Sequence, residues 1–470
     1  MTCAARASLL ALLLIALPGA RADDTSRLPD AVALQAAMQK AIEKAEPSIA
    51  CILVARGDDR HGFDPEKADF VPEIYGSGVV IDEKGLVLTN EHVIRGATAR
   101  YVRLPGEKGG FASLLAADQR SDLAVLKIDQ RLIDQRLLTA KPLALGHGEK
   151  LRKGQFVLSL ANPFAAGFRD GSPSASWGII SNLRRRAPLD VREERNTSDK
   201  PLNQFGTLIQ TDARINLGCS GGALIDLDGK LVGLTTALAA LNGSETPGGF
   251  AVPLDVGVRR IIDRLRQGEE VEYGFLGVRW DPGRIVRRGD GVFVECMAGG
   301  PAAAANIPAT CLILAINGHR IRDVSDMTFY ISTALAGTTV KVEWRGLDGG
   351  LSQTSEVKLA KLYIAPERFI ATKRPPLVGG LRVDYTSTLA SRLADPFGRQ
   401  AIPRGVVVRE VQPNSPADKA QIQVDKVITR VNGKEVATPT DFYLAVDAAT
   451  GGTLELTIQG RSDKVRLPLR

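Results

Sequence analysis

Apolar and polar positions change their rhythm three times along the chain. Residues Ser8 to Pro18 form an apolar run behind Arg6 and ahead of Ala20-Arg21-Ala22. That order matches the n-region, h-region and small-residue cleavage site of a secretory signal, so cleavage is expected after Ala22, removing residues 1–22. The run is far short of the ~20 residues that span a bilayer, and nothing later reaches that length, so the mature chain is expected to be soluble. In segment 23–47, Ala33, Leu34, Ala37, Met38 and Ile42 recur at helical spacing. They predict a short amphipathic helix that can serve packing or an oligomer contact.

From Ser48 to about Pro253 the rhythm shortens. Apolar runs at Ile49 to Val54, Gly78 to Ile81, Val87 to Thr89, Leu123 to Ile128, Phe156 to Leu160, Ile209 to Thr211, Ala223 to Ile225 and Leu231 to Thr235 are divided by Gly, Pro and Asp turns. Many short strands without alternating helices favour a mainly β sandwich or barrel. The remaining third repeats itself. Gly291-Val-Phe-Val294 recurs as Gly405-Val-Val-Val408, Ile316-Asn-Gly318 as Val431-Asn-Gly433, and Phe329-Tyr330 as Phe442-Tyr443, with a helix-favouring segment after Pro301 and again after Pro416. Two copies of about ninety residues fit a domain duplication, since a solenoid needs at least ~3 stacked units. The proline-rich stretch Pro366 to Pro376 reads as the linker.

At 470 residues the chain exceeds one ordinary core, and a prior of ~150 residues per domain suggests about three domains. With 47 glycines, 25 prolines and 44% hydrophobic residues, loop-rich β domains fit better than disorder or a helical bundle. The net charge of +7 is modest for this length, and no basic block is interleaved with aromatics, so nucleic acid is not an expected partner. After signal removal Cys51, Cys219, Cys296 and Cys311 remain, too sparse for a disulfide-built scaffold. Cys296 and Cys311 fall at the ends of neighbouring predicted strands, where a bridge would close a loop of about fifteen residues and contribute on the order of 3 kcal/mol.

The chemistry lies in three motifs and their order. Thr89-Asn90-Glu91-His92-Val93 ends a strand, Ser121-Asp122-Leu123 begins another, and Gly218-Cys219-Ser220-Gly221-Gly222 forms a glycine-rich loop between strands. His, Asp, Ser is the chymotrypsin-type order. A serine hydroxyl becomes a useful nucleophile only when an imidazole takes its proton, and the imidazole needs a carboxylate to fix its tautomer. Ser220, His92 and Asp122 are assigned those roles. The surrounding glycines let the N–H groups of Gly218 and Ser220 turn toward a developing oxyanion.

The runs Gly76-Ser-Gly-Val-Val-Ile81, Thr89 to Val93, Asp122-Leu-Ala-Val-Leu126, Ala161-Asn-Pro-Phe164, Gly178-Ile-Ile-Ser181, Gln210-Thr-Asp-Ala213, Gly218 to Leu224 and Gly249-Phe-Ala-Val-Pro253 resemble the HtrA/Deg family of serine proteases. The resemblance implies a chymotrypsin-like double β-barrel at residues 48–268. It also implies PDZ domains (α+β, partly open barrels) at 271–365 and 377–470, joined by a linker at 366–376. Its members use no cofactor, and no metal site is expected. They degrade unfolded or mislocalised proteins in the cell envelope, so the expected place is the periplasm or envelope and the expected assembly a homo-oligomer, trimer or multiple. The resemblance places Ile215 and Leu238 on the walls of the primary specificity pocket, which implies medium aliphatic residues there; Arg214, if turned inward, would favour acidic ones. Tyr273-Gly-Phe-Leu-Gly-Val278 resembles the carboxylate loop, with Phe275, Leu276 and Gly277 receiving peptide C-termini at the first PDZ domain. Leu276, Val278 and the helix near Phe329 are then expected to favour an apolar final residue.

The chain departs from the family pattern at Cys219, where Asn is usual, at Arg214 and Glu91, and in the long charged segment Arg184 to Gly206, which resembles the family's sensor loop. Both PDZ copies carry Thr310-Cys311 or Asp425-Lys426 in place of a Gly-Asp turn. Two alternatives stand beside the protease reading: a catalytically inactive PDZ scaffold or chaperone, and a protease that uses Cys219 as its nucleophile.

Overall fold

The computed structural model describes residues 28–57, 63–135, 139, 141–186, 200–237, 248–280, 291–392, 401–449 and 451–468. The expected signal at 1–22 lies outside them. The helical spacing in the following segment becomes α1 (Leu28–Ala45). Its buried Ala41 and Ala45 pack on the second barrel, and Lys44 Nζ donates to Asp228 O at 2.8 Å.

Twelve strands follow. β1 (Ile49–Arg56), β2 (Ile74–Val80), β3 (Leu86–Thr89), β4 (Ala97–Arg103), β5 (Gly110–Asp118) and β6 (Leu123–Ile128) pair in the order β5-β4-β1-β2-β3-β6, and β6 returns to β5 to close a barrel. β7 (Phe156–Ala161), β8 (Ser174–Arg185), β9 (Leu208–Thr211), β10 (Ala223–Ile225), β11 (Leu231–Thr236) and β12 (Gly249–Pro253) close a second. Ile52, Val80, Val87 and Leu126 fill the first barrel, and Val157, Ile180, Ile209 and Leu224 the second. Leu88, Leu123 and Val125 from the first meet Leu160 and Leu234 from the second in a shared core. A closed barrel has no free edge strands, so two of them can present only their faces to each other, and their loops converge along the seam.

Helix α2 (Val256–Arg266) leaves the second barrel with its N-terminus capped: the Asp255 side chain accepts from Val258 N at 2.8 Å, a contact worth about 1 kcal/mol. Its buried Val258, Ile261, Ile262 and Leu265 extend the shared core.

The duplication is visible in the sheets. The first unit has β13 (Gly274–Phe275), β14 (Val278–Arg279), β15 (Val292–Cys296), β16 (Thr310–Ile316), β17 (His319–Arg320), α3 (Val324–Ala334), β18 (Thr339–Arg345), β19 (Gln353–Lys358) and β20 (Ala360–Lys361). The second has β22 (Leu381–Tyr385), β23 (Val406–Val411), β24 (Val427–Val431), β25 (Lys434–Glu435), α4 (Pro439–Asp447), β26 (Thr453–Ile458) and β27 (Val465–Pro468). Sheet order β14-β15-β16-β18-β19, with β17 on β16, repeats as β22-β23-β24-β26-β27, with β25 on β24. The repeated Asn-Gly pairs form matching left-handed turns, with φ 49° and 79° at Asn317 and Gly318 and 50° and 78° at Asn432 and Gly433. Those are the signs that a two-residue type I′ hairpin requires.

Two expectations need correction. Segment 366–376 is not a free tether, because it contains β21 (Phe369–Ala371), which pairs antiparallel with β5 in the register Phe369↔Asp118 and Ala371↔Ala116. β4 pairs with β5 only at Gly110 and Phe111, so β21 takes the edge that β4 leaves open. Cys296 and Cys311 are free thiols in contact. Cys311 stands opposite Val294, so Cys296 is its diagonal neighbour. Diagonal residues lie ~7–8 Å apart, beyond the ~4.4–6.8 Å usual between the Cα atoms of a disulfide, although the two side chains still reach each other.

The first unit docks on the barrels through α3. Arg184 of β8 pairs with Asp326, which Arg322 Nε also holds at 2.8 Å, and Arg186 Nη2 donates to Ser325 Oγ at 2.8 Å.

Candidate active site

The end of β3 runs through the buried Asn90 into a single helical turn, Glu91–Ile94, which carries His92 to the seam between the barrels. Asp122 stands just before β6 with φ 58°. The left-handed region is costly for most residues and more accessible to Asp, whose short polar side chain bonds locally. The Asp122 carbonyl accepts from Asn90 Nδ2 at 3.0 Å and Glu91 N at 3.1 Å, and Oδ1 accepts from His92 N at 3.0 Å. His92 Nδ1 lies 2.9 Å from Oδ1 and 2.8 Å from Oδ2, while Nε2 lies 3.0 Å from Ser220 Oγ. With its Nδ1 proton held by the carboxylate, the ring presents an Nε2 lone pair to the serine hydroxyl.

Burial acts to lower the pKa of His92, but the charge and hydrogen bond of Asp122 outweigh it and hold the ring above its ordinary value. Glu91 sits 5% exposed beside the histidine, and Arg95 Nη2 neutralises it at 2.6 Å. That pair explains how an unusual charge is tolerated there.

The nucleophile loop is braced by a residue that the motif reading did not single out. Ser77 N donates to Ser220 O at 2.8 Å, Ser77 Oγ donates to Gly218 O at 2.7 Å, and Asn162 N donates to Ser77 Oγ at 2.8 Å. The only sequence signal was its place in Gly76-Ser77-Gly78, at the head of the apolar run to Ile81. Glycine is required at position 221: φ is 85°, and a Cβ would lie 2.1 Å from Ser77 O. Gly218 has φ 90° and would place a Cβ 2.5 Å from Asn162 O. Ser220 Oγ also accepts from Ala237 N at 3.0 Å.

Cys219 is 3% exposed, its sulfur accepts from Asn216 N at 3.3 Å, and burial raises its thiol pKa. The imidazole therefore meets Ser220, while Cys219 is a packed neutral thiol. Ile215 is half-buried and covers Gly249 of β12, and Arg214 is exposed. Leu238 lies outside the described residues. In the first C-terminal unit Leu276 is buried and Phe275 half-buried. Gly277 has φ 73° and packs under Pro301. The Leu276 carbonyl accepts from Ala302 N at 3.0 Å and that of Gly277 from Met297 N at 2.8 Å, which fixes the loop. The helix near Phe329 does pack beside Leu276, though Phe329 itself faces elsewhere. It lines a cleft of about 550 Å³ between α3 and the second barrel, together with Leu183, Pro253 and Tyr330, while Met327 and Ile331 are the residues of α3 that pack with Leu276.

Two closed six-strand barrels with a Ser-His-Asp constellation at their seam define a serine peptidase of chymotrypsin-like fold. The Trypsin-like peptidase domain family matches residues 76–234, and the PDZ domain family matches 407–460, within the second C-terminal unit. The periplasmic pH-dependent serine endoprotease DegQ of Escherichia coli (strain K12) is 30% identical over 409 residues, 84% of this chain and 80% of that one. A DegP-like periplasmic serine endoprotease of Bartonella henselae is 30% identical over 383 residues, covering 79% and 69%. Among solved structures, the HtrA-type protease AlgW with tripeptide is 25% identical at TM-score 0.49, covering 72% of this chain and 98% of that one. The chain belongs to the HtrA/Deg family of serine endoproteases.

Proposed function

We propose that Ser220 is the nucleophile, His92 the base that takes its proton and returns it to the leaving amine, and Asp122 the carboxylate that orients the ring and stabilises the imidazolium. The observation that carries this reading is the continuous chain from Asp122 Oδ2 through His92 Nδ1 at 2.8 Å and Nε2 to Ser220 Oγ at 3.0 Å. The N–H groups of Gly218 and Ser220 receive the oxyanion, a reading supported by the φ of 90° at Gly218 and the Ser77 brace behind the loop. This chemistry draws only on side chains and backbone and needs no metal or cofactor. A fluorophosphonate probe is expected to label the wild type and not Ser220→Ala; labelling that survives the substitution overturns the assignment.

The substrates are unfolded or mislocalised polypeptides of the periplasm, cleaved by a homo-oligomer. The export signal and the periplasmic relatives support the location. The protease unit is read as 48–268 supplemented by β21, and the unit at 271–365 as a first PDZ domain, supported by its sharing the sheet order of the second. Its loop at Phe275, Leu276 and Gly277 receives a peptide carboxylate while the peptide adds as a strand beside β14. In calorimetry on the full-length Ser220→Ala protein, amidating the C-terminus of an apolar-ending peptide should weaken binding at least about tenfold, ~1.4 kcal/mol. Equal affinities for acid and amide would remove the carboxylate role.

A further inference from the structure

The four residues before the catalytic carboxylate are held from outside the two barrels. Asp118, Arg120 and Ser121 are 1%, 3% and 6% exposed. Asp118 Oδ2 accepts from Ser121 N at 2.8 Å and Ser121 Oγ at 2.5 Å, both local, and from the hydroxyl of Tyr273 in the first C-terminal unit at 2.5 Å. The Arg120 guanidinium lies 5.1 Å from the Tyr273 ring centroid and 5.9 Å from that of Phe205, and it donates to Ser332 Oγ on α3 at 3.3 Å. Its own carbonyl accepts from Leu202 N at 2.7 Å. Gln119 N donates to Arg368 O at 2.9 Å, where β21 begins its pairing with β5. Segments around residues 202, 273, 332 and 368, distant in sequence from one another, thus converge on one short loop.

The loop has reason to need them. Asp122 occupies the left-handed region, and such conformations at functional sites persist where the surroundings over-determine them. We infer that Tyr273, Arg120 and β21 position the Asp122 carboxylate against His92. None of them meets the reacting atoms; they act through the backbone of residues 118–122. A loosened loop leaves the serine in place but moves the carboxylate. The imidazole then loses the charge that keeps it basic, while the burial that lowers its pKa remains. The inference rests on the assignment of Asp122 and goes beyond it.

The test uses full-length Tyr273→Phe, which removes one hydroxyl, and Ile370→Pro, which removes a backbone N–H from β21 at a side chain that is 50% exposed. The expected result in both is a kcat at least about tenfold lower with KM within about twofold. The acid limb of the kcat–pH profile should also move at least about half a unit to lower pH. Thermal melting identifies variants that have unfolded, and Ser332→Ala, which removes the acceptor of Arg120 on α3, takes the place of Tyr273→Phe if that variant melts. Wild-type kcat in the folded variants overturns the inference, as does a lower kcat with an unmoved acid limb. If Asp122→Asn is itself fully active, the triad assignment has failed; if it is inactive while Tyr273→Phe and Ile370→Pro behave as wild type, only the positioning role has.

Discussion

Asp122→Asn is expected to lower kcat by about four orders of magnitude while the protein stays folded, because the amide keeps the shape and reverses the polarity of one contact. The carboxylate accepts from both His92 N and Nδ1. An amide that still accepts from the backbone N–H can turn its NH₂ to Nδ1, which forces the ring proton onto Nε2, facing Ser220. The imidazole then cannot take the serine proton. The same contact sets the pH profile. His92 works as a base only when neutral, and Asp122 raises its pKa above the ordinary value, so the wild-type acid limb should lie above the ~6.5 of a free imidazole. In Asp122→Asn the residual activity should show that limb at lower pH. Steady-state kinetics from pH 5 to 9 on a peptide substrate measures both, and a kcat within tenfold of wild type would dismiss the role given to Asp122.

The second large effect lies far from the chemistry. Lys361 on β20 has a side chain 3% exposed and binds Glu270 at 2.8 Å, Glu272 at 3.2 Å and Asp384 of the second unit at 2.9 Å. Arg409 of β23 shares Glu270 at 2.7 Å and Asp384 at 3.1 Å. Lys361→Met removes one of two cations from three carboxylates. Breaking a buried pair strands the partner charge and costs about 3–5 kcal/mol, far more than the net worth of the intact pair. Urea denaturation should show that loss in the transition containing the two C-terminal units; a change below about 1 kcal/mol would mean that water already reaches the cluster. Acid acts on the same cluster in two opposed ways, and Glu272, which burial raises above its ordinary value, takes its proton before Glu270 does. Burial acts to raise the Glu270 carboxyl, but Lys361 and Arg409 outweigh it and hold it below its ordinary 4.5. Its contribution is therefore complete above that pH and is lost as pH falls through the lower folded value.

The parts legible in the sequence were those whose cause is local. β1, β6 and β10 are continuous apolar runs, and their positions were read almost to the residue. β4 and β5 were missed because Arg100 and Arg103 interrupt one and alanines dilute the other, so neither shows a strong alternation. β8 was missed because Ser174, Ser176 and Gly178 look like a turn, although they form a twelve-residue strand. The triad was readable because each member sits in its own short motif. Tyr273, Arg120 and Lys361 were not, since a charge or hydroxyl gains meaning only from its partner, and that of Tyr273 lies 155 positions away. β21 was hidden by the prolines around it, which mark a connection and say nothing of the barrel edge waiting for it.

The route of the chain through β21 has a mechanical consequence. The backbone leaves the barrels at Gly268 and regains them along β21, and just past that strand a hydrogen bond from Lys373 N to Gly268 O at 2.9 Å ties the two crossings together. Topologically, the first C-terminal unit is an insertion with a closed neck. A body hung from one strand of chain sweeps a cone in any direction, whereas one held by two adjacent strands keeps mainly a hinge about the line between them. The second unit, attached beyond Lys373 by a single connection, has no such closed neck. Its orientation is set by contacts across the interface between the two units: the backbone bond from Ile402 N to Ala298 O at 2.8 Å and the ion pairs of Asp384 with Lys361 and of Arg409 with Glu270.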